Sequence, residues 1–392
     1  MKGLAAAFIE LLQATAKYDK RLEIHENGVG NNYPALVESR IANSVTAKRC
    51  AETMATYLTG KGFGDELNKL IVHEKKNITL LQFLQDISES IAEQNGVFIA
   101  VNYEGIHKHS SFEVIPFGHC RIGKKDDDNY TGKILVCTDW SDQKKAKKAR
   151  IVDVYNDDPK VVEAQVKKAG SFKKYNGQIL YVKFGKYIYP YSRAHPVLDD
   201  ADSERAASVY KNSSLRKGFF GKTLIVTKPL VDPTLNEEDD DYKVQVTART
   251  KFRETIQSFI GAENVDGALH LEMEFESDDI DKEILFKNID TNINDKLFAH
   301  TETSVSENIC VSYGINPNLI KPKDAGLFAQ SGESYKQMKL DYQEETSDER
   351  LIVEQIVNKL MKKFTTPKED LKIIPRIPIP TTNGTDNQNG NS

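Results

Sequence analysis

The feature that most constrains this chain is an apolar row in its last third that ends abruptly. Leu285, Ile289, Ile293, Leu297, Val305 and Ile309 fall on steps of four, the spacing that lines one face of a helix. Ser277, Asp278, Asp279 and Asp281 precede the row with a polar cap and with negative charge where a helix dipole favours it. At the far end, Tyr313-Gly314-Ile315-Asn316-Pro317 offers a Gly able to turn left-handed, then a Pro that cannot continue a helix. The pattern predicts one helix from Asp278 to Tyr313, about 50 Å long at 1.5 Å per residue. Ordinary globular helices run three or four turns. A small domain cannot cover such a row alone, so part of its flank is expected to meet a neighbouring chain.

The preceding segments change period several times. Residues 4–19 and 34–59 read as amphipathic helices, the second with Val37, Ile41, Val45, Ala55 and Leu58 before Gly60. Lys2, a short apolar stretch and Ala14-Thr15-Ala16 mimic a secretion signal, but Glu10 and Gln13 interrupt it. Thr79-Leu80-Leu81-Gln82 is a capping box opening a helix that Gly96 closes. Val97 to Val101, Phe112 to Phe117, Lys133 to Thr138 and Gln178 to Phe184 read as strands, and Asn176-Gly177 signals a hairpin. Asp199 to Lys217 reads as a helix, Thr223 to Thr227 as a strand, Val244 to Ile260 as a helix and Ala268 to Phe275 as an alternating strand. The fold class is therefore α+β. Pro375, Pro378 and Pro380 mark a tail after Pro367, and residues 381–392 are polar and low in complexity.

Composition narrows the function classes. The chain is 39% hydrophobic and 28% charged, and no apolar run approaches the roughly 18 residues of a membrane span. Cys50, Cys120, Cys137 and Cys310 are scattered without CxxC pairing, which fits a reducing compartment and offers neither a zinc site nor a disulfide framework. The net charge of −5 is not that of a DNA reader. It suits a conduit, because every neutralised phosphate adds affinity that would resist sliding.

No nucleophile, phosphate-cradle, dinucleotide or zinc-protease motif occurs, and no catalytic residue, cofactor or metal is expected. The acidic runs Asp126–Asp128, Asp199–Asp202 and Glu237–Asp241 could be imagined as a metal-dependent nuclease or hydrolase. Adjacent acids diverge, whereas a metal needs converging oxygens. His107, His109, His119 and Cys120 lack the spaced third and fourth ligands of a zinc site. The basic stretches Lys144–Lys148 and Lys167–Lys168 read as solvated faces that could touch DNA or an acidic partner.

The segment from Glu307 to Ile320, Glu-Asn-Ile-Cys-Val-Ser-Tyr-Gly-Ile-Asn-Pro-Asn-Leu-Ile, resembles the most diagnostic stretch of tailed-bacteriophage portal proteins. In that family a long helix ends in an aromatic-Gly-Val/Ile-Pro-Pro-x-Leu pattern, followed by a loop and another long helix. Asn316 stands where the family often has the first Pro, a departure expected to loosen the turn. Arg40 to Gly62-Phe63, Thr79 to Asn102 and Phe112 to Pro116 resemble the family's early helix, its helix–Gly–strand unit and the next strand.

The resemblance implies a mixed α/β wing over 1–195, a first stem helix over 196–221 and a strand–helix–strand clip over 222–276. A second stem helix over 277–314, a tunnel loop over 315–333, a long C-terminal helix over 334–366 and a flexible tail over 367–392 complete it. Pro317, Lys321, Lys323, Gly326, Ser331 and Gly332 are the expected tunnel-loop residues facing a DNA channel. The implied role is non-enzymatic: a homo-oligomeric ring, a dodecamer, at one capsid vertex of the virion, assembled in the host cytoplasm. Double-stranded DNA would pass through it without sequence preference, with the large terminase, the major capsid protein and a head–tail connector as partners. A scaffolding protein without a channel is the other non-enzymatic reading.

Overall fold

A computed structural model describes residues 16–105, 108–126, 131–216, 223–227, 229–232, 234–260, 268–272, 284–288, 295–321 and 332–378. The chain divides into two compact units, Met1–Ser203 with Val305–Ser392, and Glu204–Ser304. In chain order the first unit holds β1 (Tyr18–Asp19), β2 (Ile24–His25), α1 (Tyr33–Asn43), α2 (Val45–Thr59), α3 (Asp65–Asn68), β3 (Ile71–His73), β4 (Ile78–Thr79) and α4 (Leu80–Gln94). Then follow β5 (Gly96–Tyr103), β6 (His109–Ile115), β7 (Cys120–Asp126), β8 (Thr131–Val136), α5 (Gln143–Ala146), β9 (Arg150–Val154), α6 (Pro159–Ala169) and β10 (Gln178–Lys183). The chain leaves this unit within α7 (Leu198–Arg216) and passes through β11 (Thr223–Thr227), α8 (Asp240–Ile260), β12 (Ala268–Glu272) and β13 (Ile284–Asn288). It returns within α9 (Asp295–Ser312) and continues as α10 (Pro317–Ile320), α11 (Gly332–Glu345) and α12 (Ser347–Met361).

The sheet of the first unit has the order β1-β2-β7-β8-β9-β10-β5-β6. Its described neighbours are antiparallel except β9 and β10, which run parallel. β5 is apolar on both faces, as a strand covered on both sides must be. Val97, Ile99 and Val101 belong to the core shared with α2, α4, α9 and α12, and Phe98 belongs to a second core with Phe117, Ile134, Val152 and Ile179. This one-residue alternation sends the two sets of side chains to opposite faces of β5. On β7, between Cys120 and Ile122 of the second core, buried Arg121 donates to the carbonyls of Gly118 (2.9 Å), Cys120 (2.7 Å) and Asn31 (2.8 Å) and lies over Trp140.

Thr79 caps α4 as its sequence suggests, its Oγ1 accepting from the Gln82 N–H at 3.2 Å. The helix expected over 34–59 is two helices. Ser44 takes an extended conformation between them and its Oγ caps α2 through Ala47 N–H at 3.0 Å. Residues 4–15 of the expected first helix lie outside the described residues, and Tyr18–Asp19 pairs with Ile24–His25 instead of continuing it. Asn176-Gly177 makes no hairpin. It leads from the α6 crossover into β10, and Gly177 sits at φ 71° where a Cβ would meet the Val101 carbonyl at 2.4 Å. Close backbone approach, rather than a two-residue turn, is what requires that glycine.

In the second unit, β11 pairs parallel with β12 and antiparallel with β13, giving the order β12-β11-β13. The strand–helix–strand segment is present, with a third strand that the sequence reading placed inside the second stem helix. The helix expected over 277–314 is therefore corrected: Ile284–Asn288 is a strand, and α9 starts at Asp295. Without β13, one edge of β11 would keep a row of open backbone donors and acceptors. Leu285 opposes Val226 and Phe286 opposes Ile225, apolar and β-branched pairs that favour a ladder. At 18 residues α9 is about 27 Å long.

The helix expected over 334–366 is also two. It breaks at Thr346, whose Oγ1 donates back to the Tyr342 carbonyl at 3.0 Å while the backbone leaves helical geometry, a competition with the helix ladder that hydroxyl side chains favour. The tail is not all flexible: Leu371 and Ile373 are 5% exposed and belong to the core. Residues 379–392 lie outside the described residues. No helix among the described residues is long and apolar enough to cross a membrane.

Candidate functional site

The end of α9 is fixed by the residues that the sequence pattern singles out. α9 lies beside α2 in the same direction, because contacts advance by four on both helices. Thr46 Oγ is 3.2 Å from Ser306 Oγ, and Cys50 Sγ is 3.8 Å from Cys310 Sγ. Val305, Ile309, Cys310, Tyr313 and Ile315 are all buried. Ser312 donates its hydroxyl to the Arg193 carbonyl, and Arg193 pairs with Glu349 at the start of α12.

The stop itself is a Schellman turn. Ile315 N–H donates to the Cys310 carbonyl and Gly314 N–H to the Val311 carbonyl, both at 2.9 Å, satisfying carbonyls the helix end leaves open. Gly314 carries the required positive φ of 67°. Asn316 does not loosen the turn, contrary to expectation. Its Oδ1 accepts from Asn318 N–H at 3.0 Å and caps α10, with Pro317 at the first helical position, where its missing N–H costs nothing. Lys321 N–H then closes α10 on the Pro317 carbonyl at 2.8 Å.

α11 restarts at Gly332, and Tyr342 returns it to the same core. Tyr342 packs edge-on against Tyr57 of α2 at 5.0 Å between ring centres. Arg350 donates to the Gln343 carbonyl at 3.3 Å. The phenol oxygens of Tyr313 and Tyr342 are buried with no hydrogen-bond partner among the described residues, and burial raises both pKa values far above the ordinary tyrosine range. Both phenols stay protonated throughout the physiological range.

Of the expected loop residues, Pro317 and Lys321 sit on or just after α10 and Gly332 opens α11. Lys323, Gly326 and Ser331 lie outside the described residues. The stretch 322–331 thus begins and ends at two anchored helices of one unit. Arg193 and Glu349, which through Ser312 tie the end of α9 to the start of α12, were not singled out by sequence reasoning. An isolated Arg, Ser or Glu carries no local pattern.

The other candidates are dispersed. Asp202 pairs with Arg40, Asp200 accepts from Asn308 at 3.3 Å, and Glu237–Asp241 is exposed at the start of α8. Asp127 and Asp128 lie outside the described residues, as does His107. His109 Nδ1 bonds the Leu360 carbonyl at 2.9 Å. All four cysteines are buried thiols, and no metal-binding group of His, Cys, Asp or Glu occurs among the described residues. In the basic stretches, Lys145 pairs with Asp139 and Lys167 with Glu163, each at 3.2 Å.

No protein-family model and no curated protein sequence matches the chain. Solved structures do. A chain from the neck of an empty GTA (gene transfer agent) particle computed with C6 symmetry matches 86% of this chain and 82% of its own length, at 11% identity and a TM-score of 0.50. The chain shares the fold of that neck chain. At that identity the likeness is one of fold. The neck of the native GTA particle computed with C12 symmetry matches 84% of this chain and 79% of its own, at 12% identity and a TM-score of 0.48. An HK97 family phage portal protein from Corynebacterium diphtheriae matches 74% of this chain and 80% of its own, at 8% identity and a TM-score of 0.40. The α+β class expected from the sequence is the class found.

Proposed function

We propose that this chain is the subunit of a portal: a closed ring at one capsid vertex through which double-stranded DNA is packaged, retained and ejected. The observation that carries the reading is the anchoring of α9 and α11 on either side of residues 322–331. A buried Schellman turn and α10 precede this stretch, α11 with buried Tyr342 follows it, and this reading assigns the contact with DNA to the ten residues between. Ring closure by identical head-to-tail contacts is the usual route for such subunits. The neck particle that shares the fold was computed with C6 symmetry, and this reading carries cyclic symmetry to the present chain, with twelve copies by the family resemblance. The large terminase, the major capsid protein and a head–tail connector would attach to the ring in the virion.

The charge balance supports a conduit over a binder. With 58 acidic and 53 basic residues, the chain offers few phosphate-neutralising contacts, each of which would add salt-dependent affinity and slow sliding. Lys321 and Lys323 are the basic groups proposed for transient phosphate contact. Deleting Asp324–Gln330 tests the reading. Assembly is expected to persist while packaging or retention of DNA falls in a particle-assembly assay. Unimpaired packaging by the deletion variant would contradict it.

A further inference from the structure

After α12 the chain crosses an exposed hinge, Thr366–Asp370, and then follows α12, α11 and the end of α2 as Leu371–Pro378, bending at Arg376 and Ile377. Exposure alternates along this strap. Leu371, Ile373, Pro375 and Ile377 turn inward, whereas Lys372, Ile374, Arg376 and Pro378 turn outward. Period-two burial without a sheet is how a bound peptide, rather than a loop, meets a groove.

The groove reads the strap's backbone through side chains. The Asn358 amide makes a reciprocal pair with Leu371, its Oδ1 accepting from the Leu371 N–H and its Nδ2 donating to the Leu371 carbonyl, both at 2.8 Å. The Gln343 amide does the same to Ile377, both at 2.9 Å. Between them, Glu354 Oε2 accepts from Ile373 N–H at 2.9 Å. The backbone after α2 completes the set, with Lys61 N–H donating to the Ile374 carbonyl and Ile374 N–H donating to the Gly62 carbonyl, both at 2.8 Å.

Gly60 gives the strap its room. A Cβ there would meet the Ile374 carbonyl at 2.3 Å. Arg376 reaches a neighbouring cavity of ≈ 590 Å³, lined by Glu52, Glu89 and Glu93 together with Lys48 and Arg49. Two features therefore define the ligand chemistry: a backbone held by side-chain amides and a carboxylate, and apolar side chains at alternate positions.

None of these contacts requires that strap and groove belong to one chain. The hinge is exposed, and Asp370 holds φ at 55°, a left-handed conformation that costs a non-glycine residue energy. Strained short hinges of this kind favour exchange of a segment between copies. We propose that the groove of α2, α11 and α12 is a peptide-recognition site, and that its occupant in trans is the Leu371–Pro378 strap of a second copy. The inference needs no ring, only a strap within reach of another groove.

Full-length chains test it. One carries Lys61→Cys on the groove and the other carries Ile374→Cys on the strap; both positions are exposed, and the four natural thiols are buried. The chains are mixed and oxidised with a disulfide-forming reagent, and linked dimers are counted on a non-reducing gel. The control pairs Ile374→Cys with Lys160→Cys on α6. Linked dimer several-fold above the control is expected. A rise of about tenfold is expected when Leu371→Asp is added to the Lys61→Cys chain to empty its groove. Trypsin cleavage at Lys372 verifies the release. Linkage no greater than the control, with the acceptor strap either intact or released, overturns the proposal.

Discussion

Cys50 and Cys310 meet sulfur to sulfur at 3.8 Å, both buried, one turn beyond the Thr46–Ser306 contact at 3.2 Å. This pair of contacts holds the end of α9 against α2 and so fixes where the following segment starts. Ile309 lies beside Cys310 in sequence and is fully buried. Ile309→Ala is expected to cost about 2–5 kcal/mol of unfolding free energy, from lost transfer and the cavity left behind. Urea unfolding followed by circular dichroism checks this; an effect below about 0.5 kcal/mol would place α9 outside the core.

Gly314 ends α9 at φ 67°. Gly314→Ala is expected to destabilise by roughly 1–2 kcal/mol, the cost of a Cβ in the left-handed region. Gly314→Asn is expected to lose less, since Asn tolerates that region. A Cβ would stand 3.4 Å from Glu345 Oε1, an ordinary contact, so the left-handed backbone rather than a clash sets the cost. Thermal melts of the two variants side by side give the order; equal losses would contradict the left-handed cap.

His109 ties β6 to the end of α12. It bonds the Leu360 carbonyl, and its backbone N–H donates to the Lys363 carbonyl at 2.9 Å. Burial lowers its pKa below 6.5, with Lys363 acting in the same direction and the Leu360 bond and Asp157 acting against it. The folded state therefore holds the ring neutral, while the unfolded chain takes up a proton near the ordinary value. The stability that a neutral His109 contributes is complete above about pH 6.5 and falls as pH drops toward the lowered folded value. Desolvation raises the pKa values of Glu38, Asp86 and Glu93, and these groups act with the opposite sign, from the carboxylate range upward. Melting temperatures of the wild type and His109→Asn from pH 7.5 to 5 separate the two. The wild type should lose more on acidification; parallel curves would exclude the His109 contribution.

Lys321 closes α10, and Lys323 follows two residues later. Lys321 is exposed, and replacing both by Ala is expected to change stability by less than about 0.5 kcal/mol. The same change should alter DNA passage or retention. Duplex binding by the isolated chain should be weak, indifferent to sequence and lost as salt rises. Nanomolar, sequence-selective binding in a gel-shift titration at physiological salt would revive a DNA-reader role.

Local chemistry made some of this architecture legible. The Thr79 cap, the β11 strand, α8 and the Gly314 stop are written in cap residues, alternation and a Gly placed before a Pro. What escaped depends on distant partners. Leu285 satisfies both a four-residue period and a strand, and the open edge of β11, nearly sixty residues earlier, decides between them. Thr346 looks like an interior helix residue until its hydroxyl turns back to Tyr342. The strap shows its alternation at Leu371, Ile373, Pro375 and Ile377, but its prolines suggested a tail. Only Asn358 and Gln343, 13 and 34 residues away, supply the partners that order it. Arg193 and Glu349 are separated by 156 residues, and no local pattern announces such a pair.

The ring is the central claim, and the mass of the purified full-length chain tests it most directly. Native mass spectrometry at micromolar concentration, with electron micrographs of the same sample, should show a closed homo-oligomer of twelve copies with a central hole. A chain that stays monomeric, with no ring-shaped particles in the micrographs, would contradict the account.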